Sequence, residues 1–197
     1  MGNMLKCNKT KKAVSKMKFL IASDIHGDID CAEQLIGVFK NEGCDKLILL
    51  GDLLYHGPRN DLPKSYAPKK VIELLNEYKN DIISVRGNCD TEVDQMVLDF
   101  PILSDYSYIF SDGISIFATH GHKYNSDNLP PLKHGDVIIH GHTHVLCAKK
   151  MGNSNYLFNP GSTTLPKDGN PRTYMIYEKR AFTIKDFDGN IVIKKTI

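Results

Sequence analysis

An α/β domain of two sheets packed face to face, with helices outside, is the fold class this sequence predicts. Three observations lead there. Strand and helix periodicities alternate through the first half, short strands and tight turns fill the second, and Asp, Asn and His recur where apolar runs end. Lys18–Ser23 (KFLIAS) is the first apolar β run, followed by a Gly-containing loop. From Asp30 to about Asn41, Leu35, Ile36, Val38 and Phe39 share one helical face, with Asp30 near the N-cap. Lys46–Leu50 (KLILL) reads as a second buried strand. The segment 55–68, YHGPRNDLPKSYAP, then delays a second helix in which Val71, Ile72, Leu74, Leu75 and Tyr78 repeat at helical spacing. A connection this long inside a compact domain is commonly functional, so it is expected to wall the active site. Asp81–Val85 (DIISV) is the third strand. Strand, helix, strand, helix, strand implies right-handed crossovers.

The second half carries little helical periodicity. Tyr106–Phe110 and Ile114–Thr119 flank Ser111-Asp112-Gly113, a hairpin signal. Val137–His140, Tyr156–Phe158, Tyr174–Tyr177, Phe182–Phe187 and Ile191–Lys194 are further short strands, the last two joined by Asp188-Gly189-Asn190.

A chain of 197 residues suits one domain, taken as 17–197. Residues 1–16 carry Lys6, Lys9, Lys11, Lys12 and Lys16, and read either as a disordered basic arm or as an upstream start before Met17. A formal net charge of +2 gives no footprint of a nucleic-acid binder. No apolar run approaches the ~18–20 residues of a membrane span. Five cysteines, an odd number with no Cys-x-x-Cys spacing, argue for a reducing compartment, and the cytoplasm is expected. Oligomeric state is left open, a homo-oligomer included.

The chemistry lies at the strand ends. Asp24-x-His26, Gly51-Asp52, Gly87-Asn88, His120 and His142-x-His144 occur in that order. Loops at carboxyl ends of strands line the ligand crevice of open α/β sheets. Residues i and i+2 of an extended or turning segment point the same way, so Asp24 with His26, and His142 with His144, each offer two groups to one cavity. Oxygen and imidazole donors without thiolate suit Mn, Fe, Co, Ni or Zn in place of an all-oxygen calcium cage. Two such ions about 3.5–4 Å apart would share Asp52 and a bridging hydroxide. Their charge exceeds that of Asp24, Asp52 and the hydroxide, leaving a positive pocket suited to a phosphate ester. His122 and His56 are candidates to orient a leaving group or support a ligand, and Arg59 to clamp a nonbridging phosphate oxygen unless it pairs with Asp61.

These motifs resemble the signature of the calcineurin-like metallophosphoesterases. The strings ASDIHGD, HGPRNDLPKSYAP, VRGNCDTEVDQM, THGH, NLPPL, GHTH and NPGS are similar to segments of the YfcE-type bacterial phosphodiesterases, from Met17 to about Pro171. The resemblance implies a four-layer αββα sandwich of two mixed sheets, the metallo-dependent phosphatase-like fold. It implies one metal on Asp24, His26, Asp52 and His144 and a second on Asp52, Asn88, His120 and His142, manganese favoured. It also implies in-line attack of a metal-bridging hydroxide on a small phosphodiester, with no covalent intermediate. Many superfamily phosphatases read Gly-Asn-His where this chain reads Gly87-Asn88-Cys89. A thiol protonates an alkoxide less readily than an imidazolium, so esters with good leaving groups, and diesters, are expected. Cys89 reads equally as a buried small residue. The readings set against the phosphodiesterase are a protein-binding scaffold of the same fold, which the seven intact ligand positions disfavour, and a nuclease, which the near-neutral charge disfavours.

Overall fold

The computed structural model describes residues 17–197. The basic segment 1–16 lies outside the described residues. β1, Lys18–Ala22, is buried at every residue after Lys18, as a strand covered on both faces must be. It pairs in parallel with β2, Lys46–Leu49, which pairs in parallel with β3, Ile82–Ser84. The crossovers are α1, Ile29–Asn41, and α2, Pro68–Glu77, the second opened by a proline whose fixed φ suits a first turn. After β3 come the short α3, Glu92–Gln95, and a second sheet built from β4, Tyr106–Ser111, β5, Ile114–Thr119, β6, Val137–Ile139, β7, Cys147–Lys150, and β8, Tyr156–Asn159. The chain then returns to the first sheet through β9, Thr173–Glu178, β10, Ala181–Asp186, and β11, Ile191–Thr196. The strand orders are β11-β10-β9-β1-β2-β3 and β4-β5-β6-β8-β7, and both sheets are mixed as expected.

Alternation along the strands makes the layers. Leu20, Leu47 and Leu49 face Leu35, Ile36, Phe39, Val71 and Leu75 of the helices, while Ile21 and Ile48 face Ile116, Ile139 and Phe158 of the second sheet. The outer face of that sheet, Phe117, Ile138 and Leu157, is covered by Tyr124, Leu132 and Met151; among the described residues no helix lies there. No helix of the described residues is long and apolar enough to cross a membrane.

Three details depart from the sequence expectation. The N-cap of α1 is Asp28, not Asp30: its carboxylate accepts the Cys31 N–H at 3.0 Å and the Ser65 N–H at 3.3 Å, tying the helix start to the long 55–68 loop. β7 and α3 were not expected. β7 is a short, partly exposed run made a strand by pairing with β8, and α3 is a single turn with no buried residue to give it periodicity.

Candidate metal centre

All seven expected ligands follow the carboxyl ends of five strands, β1, β2, β3, β5 and β6, and meet at one edge of the sandwich. Five of them, Asp24, His26, Asp52, His142 and His144, hold φ between 50° and 65°, the left-handed region that non-glycine residues rarely adopt. Such residues cost of order 1–3 kcal/mol each and persist where surrounding contacts over-determine them. Those contacts are present. Asp24 N–H donates to Gly51 O (3.1 Å) and His26 N–H to Asp52 O (2.9 Å). Ser162 Oγ donates to Asp24 O (3.1 Å), Thr163 Oγ1 to Ser23 O (3.0 Å) and Thr164 Oγ1 to Ile25 O (2.8 Å). The turn at Asp24 drives Ile25 into the helix-side core and leaves Asp24 and His26 in the cavity.

The imidazoles are oriented from behind. Nδ1 of His26 meets Tyr55 O at 2.8 Å, Nδ1 of His120 meets Leu50 O at 2.7 Å, and Nδ1 of His144 meets Leu165 O at 2.6 Å. A carbonyl can only accept, so each Nδ1 carries a proton and each ring turns its Nε2 inward. His142 is the exception, directing Nδ1 to within 3.2 Å of His120 Nε2.

The inward atoms crowd together. His26 Nε2 and His144 Nε2 lie 3.3 Å apart, and Asp24 Oδ1 lies 3.1 Å from the latter and 3.6 Å from the former. Asp24 Oδ1 is buried without a hydrogen-bond partner. On the other side His120 Nε2 sits 3.4 Å from Asp52 Oδ2 and 3.0 Å from Asn88 Oδ1, and His26 Nε2 lies 3.8 Å from Asp52 Oδ2. Converging lone pairs in a buried site repel unless a proton or a cation lies between them. A donor set of carboxylate, amide oxygen and imidazole fits borderline divalent cations.

The protonation equilibria express the same demand. Burial opposes the ionised form of Asp24, but the His144 and His26 contacts and the His120 charge outweigh it, holding the carboxyl well below the usual range. Burial likewise works against Asp52, and His120 outweighs it and lowers the carboxyl. Desolvation disfavours the His120 imidazolium, yet the Asp52 hydrogen bond and the Asp24 and Asp52 charges carry it up to about 9. Desolvation and the His120 charge push His142 down to about 4. The carboxylate pair draws positive charge, which a cation held by these residues would supply in place of a proton on His120.

Two features behind the ligands were not read from the sequence. Asp90, buried, accepts the N–H groups of Asp52 (2.9 Å), Leu53 (2.9 Å) and Gly87 (2.7 Å), clamping the loops after β2 and β3 together. Asn159 Nδ2 donates to Gly141 O (2.9 Å) and Thr143 Oγ1 (3.0 Å), holding the His142–His144 turn. Both act across long sequence separations, which local spacing does not reveal. Gly87 packs so closely on Asp52 that a Cβ there would collide with its carboxylate. Gly87→Ala is therefore expected to weaken divalent-metal affinity by roughly 10–100-fold, read by calorimetry. Unchanged affinity would mean that Asp52 has room to move.

The remaining expected residues divide. Arg59 lines a cleft of about 650 Å3 over the ligands, together with Tyr55, Asn88, His142 and Lys167, and forms no ion pair with Asp61 among the described residues. Lys167 was not anticipated. Cys89 also lines the cleft; burial and the Asp52 charge push its thiol up to about 12, and its N–H donates to Asp52 Oδ1 at 2.8 Å. His122 stands 5.4 Å, centroid to centroid, from His120, its Nδ1 buried without a partner. His56, expected at the substrate, instead packs edge-on between Tyr55 (4.8 Å) and Tyr66 (5.4 Å) and is absent from the cleft lining, because Gly57 turns the loop after it.

Residues 17–181 match the Calcineurin-like phosphoesterase superfamily domain. Phosphodiesterase YfcE of Escherichia coli K12 is 45% identical over 168 residues, 85% of this chain and 91% of that protein. A solved structure of this phosphoesterase from E. coli superposes with a TM-score of 0.90 at 43% identity, covering 92% of this chain and all of the other. Phosphodiesterase MJ0936 of Methanocaldococcus jannaschii is 28% identical over 153 residues, 74% of this chain and 83% of that protein.

Proposed function

The chain belongs to the calcineurin-like phosphoesterase superfamily, and from that premise we propose that it is a phosphodiesterase working with two divalent cations. One observation carries the reading: the Nε2 atoms of His26, His120 and His144 converge with Asp24 and Asp52 oxygens in one buried site, where Asp24 Oδ1 has no hydrogen-bond partner. On this reading Asp24, His26, Asp52 and His144 hold one cation, and Asp52, Asn88, His120 and His142 the other. When bound, the pair supplies a water acidic enough to ionise near neutral pH and neutralises phosphoryl charge during in-line displacement. Manganese is the metal proposed, with Fe, Co, Ni and Zn accepted by the same donors.

The chain's own groups do the positioning. Carbonyls of Leu50, Tyr55 and Leu165 fix the ring tautomers, as outer partners of ligating histidines do. The Cys89 N–H and the Asp90 clamp hold Asp52. Arg59 lines the cleft and on this reading binds a nonbridging phosphate oxygen, while His122, outside the cleft lining and 5.4 Å from His120 between ring centroids, would orient the leaving group or support that ligand. A thiol at Cys89 is a weaker proton donor than imidazole, which favours diesters with good leaving groups. Seven competent donors at one edge weigh against the scaffold reading, and a net charge of +2 weighs against the nuclease. We take 17–197 as the phosphoesterase domain, acting on a small diester in the cytoplasm, a setting supported by the free thiols of Cys31, Cys44, Cys89 and Cys147.

The test is hydrolysis of bis-p-nitrophenyl phosphate by manganese-loaded protein. Turnover is expected to exceed that of p-nitrophenyl phosphate by about tenfold or more, to vanish on chelation and to return with metal. Equal rates on both esters would remove the diester preference, and full activity after exhaustive chelation would remove the metal.

A further inference from the structure

The cleft over the metal ligands does not end at its own wall. An apolar groove of about 380 Å3 adjoins it, and Tyr55, Cys89 and Thr91 line both. Beyond them the groove is built chiefly from Tyr66, Ile72, Val93 and Val97. Cys89 Sγ lies within 4.8 Å of ligand atoms of both His26 and Asp52, so one small side chain separates the groove from the metal centre.

The groove is held open by polar scaffolding. α3 buries none of its residues, and Val93 and Val97 stay 68% and 43% exposed. Val93 on so short a helix and Val97 just beyond it gain little from folding while left in water, so something else must fix the turn. The Thr91–Asp94 capping box starts it. Gln95 then ends it, donating to Leu98 O (3.1 Å) and Phe100 O (3.0 Å) while accepting the Ile102 N–H (2.8 Å). Asn76 of α2 accepts the Asp99 N–H at 2.8 Å and donates to Val97 O at 3.0 Å, anchoring the segment to the helix layer. The charged residues on the groove lining are Lys69 and Asp94, and the Asp94 carboxylate is engaged by the Thr91 N–H and hydroxyl.

We propose that this groove is the subsite for an apolar, ring-sized ester substituent of the diester, with the polar part of the substrate on the Arg59 and Lys167 side of the cleft. The inference rests on the phosphodiesterase reading. It selects among diesters by what the groove buries, whereas the metal centre accepts any of them. Continuity with the metal cleft commits the groove to substrate: a phosphorus held at the ligands has one ester arm within reach of Cys89 and the apolar wall behind it.

The experiment uses manganese-loaded protein and two diesters with the same leaving group, methyl p-nitrophenyl phosphate and cyclohexyl p-nitrophenyl phosphate. The wild type is expected to favour the cyclohexyl ester in kcat/KM by roughly tenfold, the order expected for burying an apolar ring. Val93→Asp and Val97→Asp should each bring that ratio close to one, while Met96→Asp, at an 82% exposed position off the groove, keeps it. The ratio is read within each protein, so a loss of folded enzyme cancels. A wild-type ratio near one, or an unchanged ratio in both valine variants, overturns the subsite while leaving the phosphodiesterase standing. Failure of the wild type to hydrolyse either ester overturns the phosphodiesterase reading, and the subsite with it.

Discussion

Asp52→Asn is expected to lower kcat/KM on bis-p-nitrophenyl phosphate on the order of 10³-fold, about 4 kcal/mol of transition-state stabilisation. The amide keeps the shape, and its oxygen still accepts the Cys89 N–H now bound at 2.8 Å. What it loses is the charge that draws positive groups from both sides, from His26 at 3.8 Å and His120 at 3.4 Å. Stability should fall as well, by less than activity. His120 outweighs burial and the Asp24 charge and lowers the Asp52 carboxyl in the folded protein, so the ionised carboxylate stabilises the metal-free fold above the ordinary carboxylate range, and that stability is lost as pH falls through the lowered value. Removing the charge should lower the melting temperature of the metal-free protein at neutral pH. The rise in melting temperature on adding manganese, which follows from binding to the folded state alone, should shrink or vanish. A variant that keeps both its turnover and its metal-induced thermal shift would take Asp52 out of the centre.

Asp90→Ala should do the opposite, with its main effect on the fold. The Asp90 carboxylate accepts three N–H groups, those of Asp52, Leu53 and Gly87, in a site only 2% exposed. Burial raises its pKa even with those donors, so the environment already opposes the charge. Alanine leaves three buried donors unpaired, at about 1–3 kcal/mol each before relaxation. A loss of roughly 3–5 kcal/mol follows, or about 10 °C in melting temperature for a chain of this size. Thermal unfolding of metal-free protein measures it, and a fall of under about 2 °C would show that water replaces the carboxylate without difficulty. Asp90→Asn, which keeps one acceptor oxygen, should fall between.

The gathering of the candidate ligands was legible because each follows an apolar run whose strand character is plain: KFLIA before Ser23-Asp24, LILL before Gly51-Asp52, IFAT before His120. The helix layer was legible for the same reason, since Leu35, Ile36 and Phe39 form a periodic buried face. What stayed hidden depends on partners far along the chain. Asp90 meets the Asp52 and Leu53 amides across 38 and 37 residues. β7 is a strand only through β8, and the insertion of β9 beside β1 has no local signature. The Thr91-x-x-Asp94 capping box was visible, but a single turn without buried residues leaves no period to detect. The setting of His56 was not legible, because a histidine beside a glycine-containing loop looks the same in sequence whether it faces a ligand or two tyrosines.

The pairing of β1 with β9 also sets an order of events during synthesis. A ribosome has made every ligand once it passes His144, yet β1 still lacks its second neighbour, Thr173–Glu178. The hydroxyl that steadies the Asp24 carbonyl lies 138 residues downstream of it. A nascent chain halted between those points carries a full complement of donors on an unfinished frame. On the two-cation reading proposed above, a chain cut short before Thr173–Glu178 is therefore expected to hold metal poorly although it carries every proposed donor.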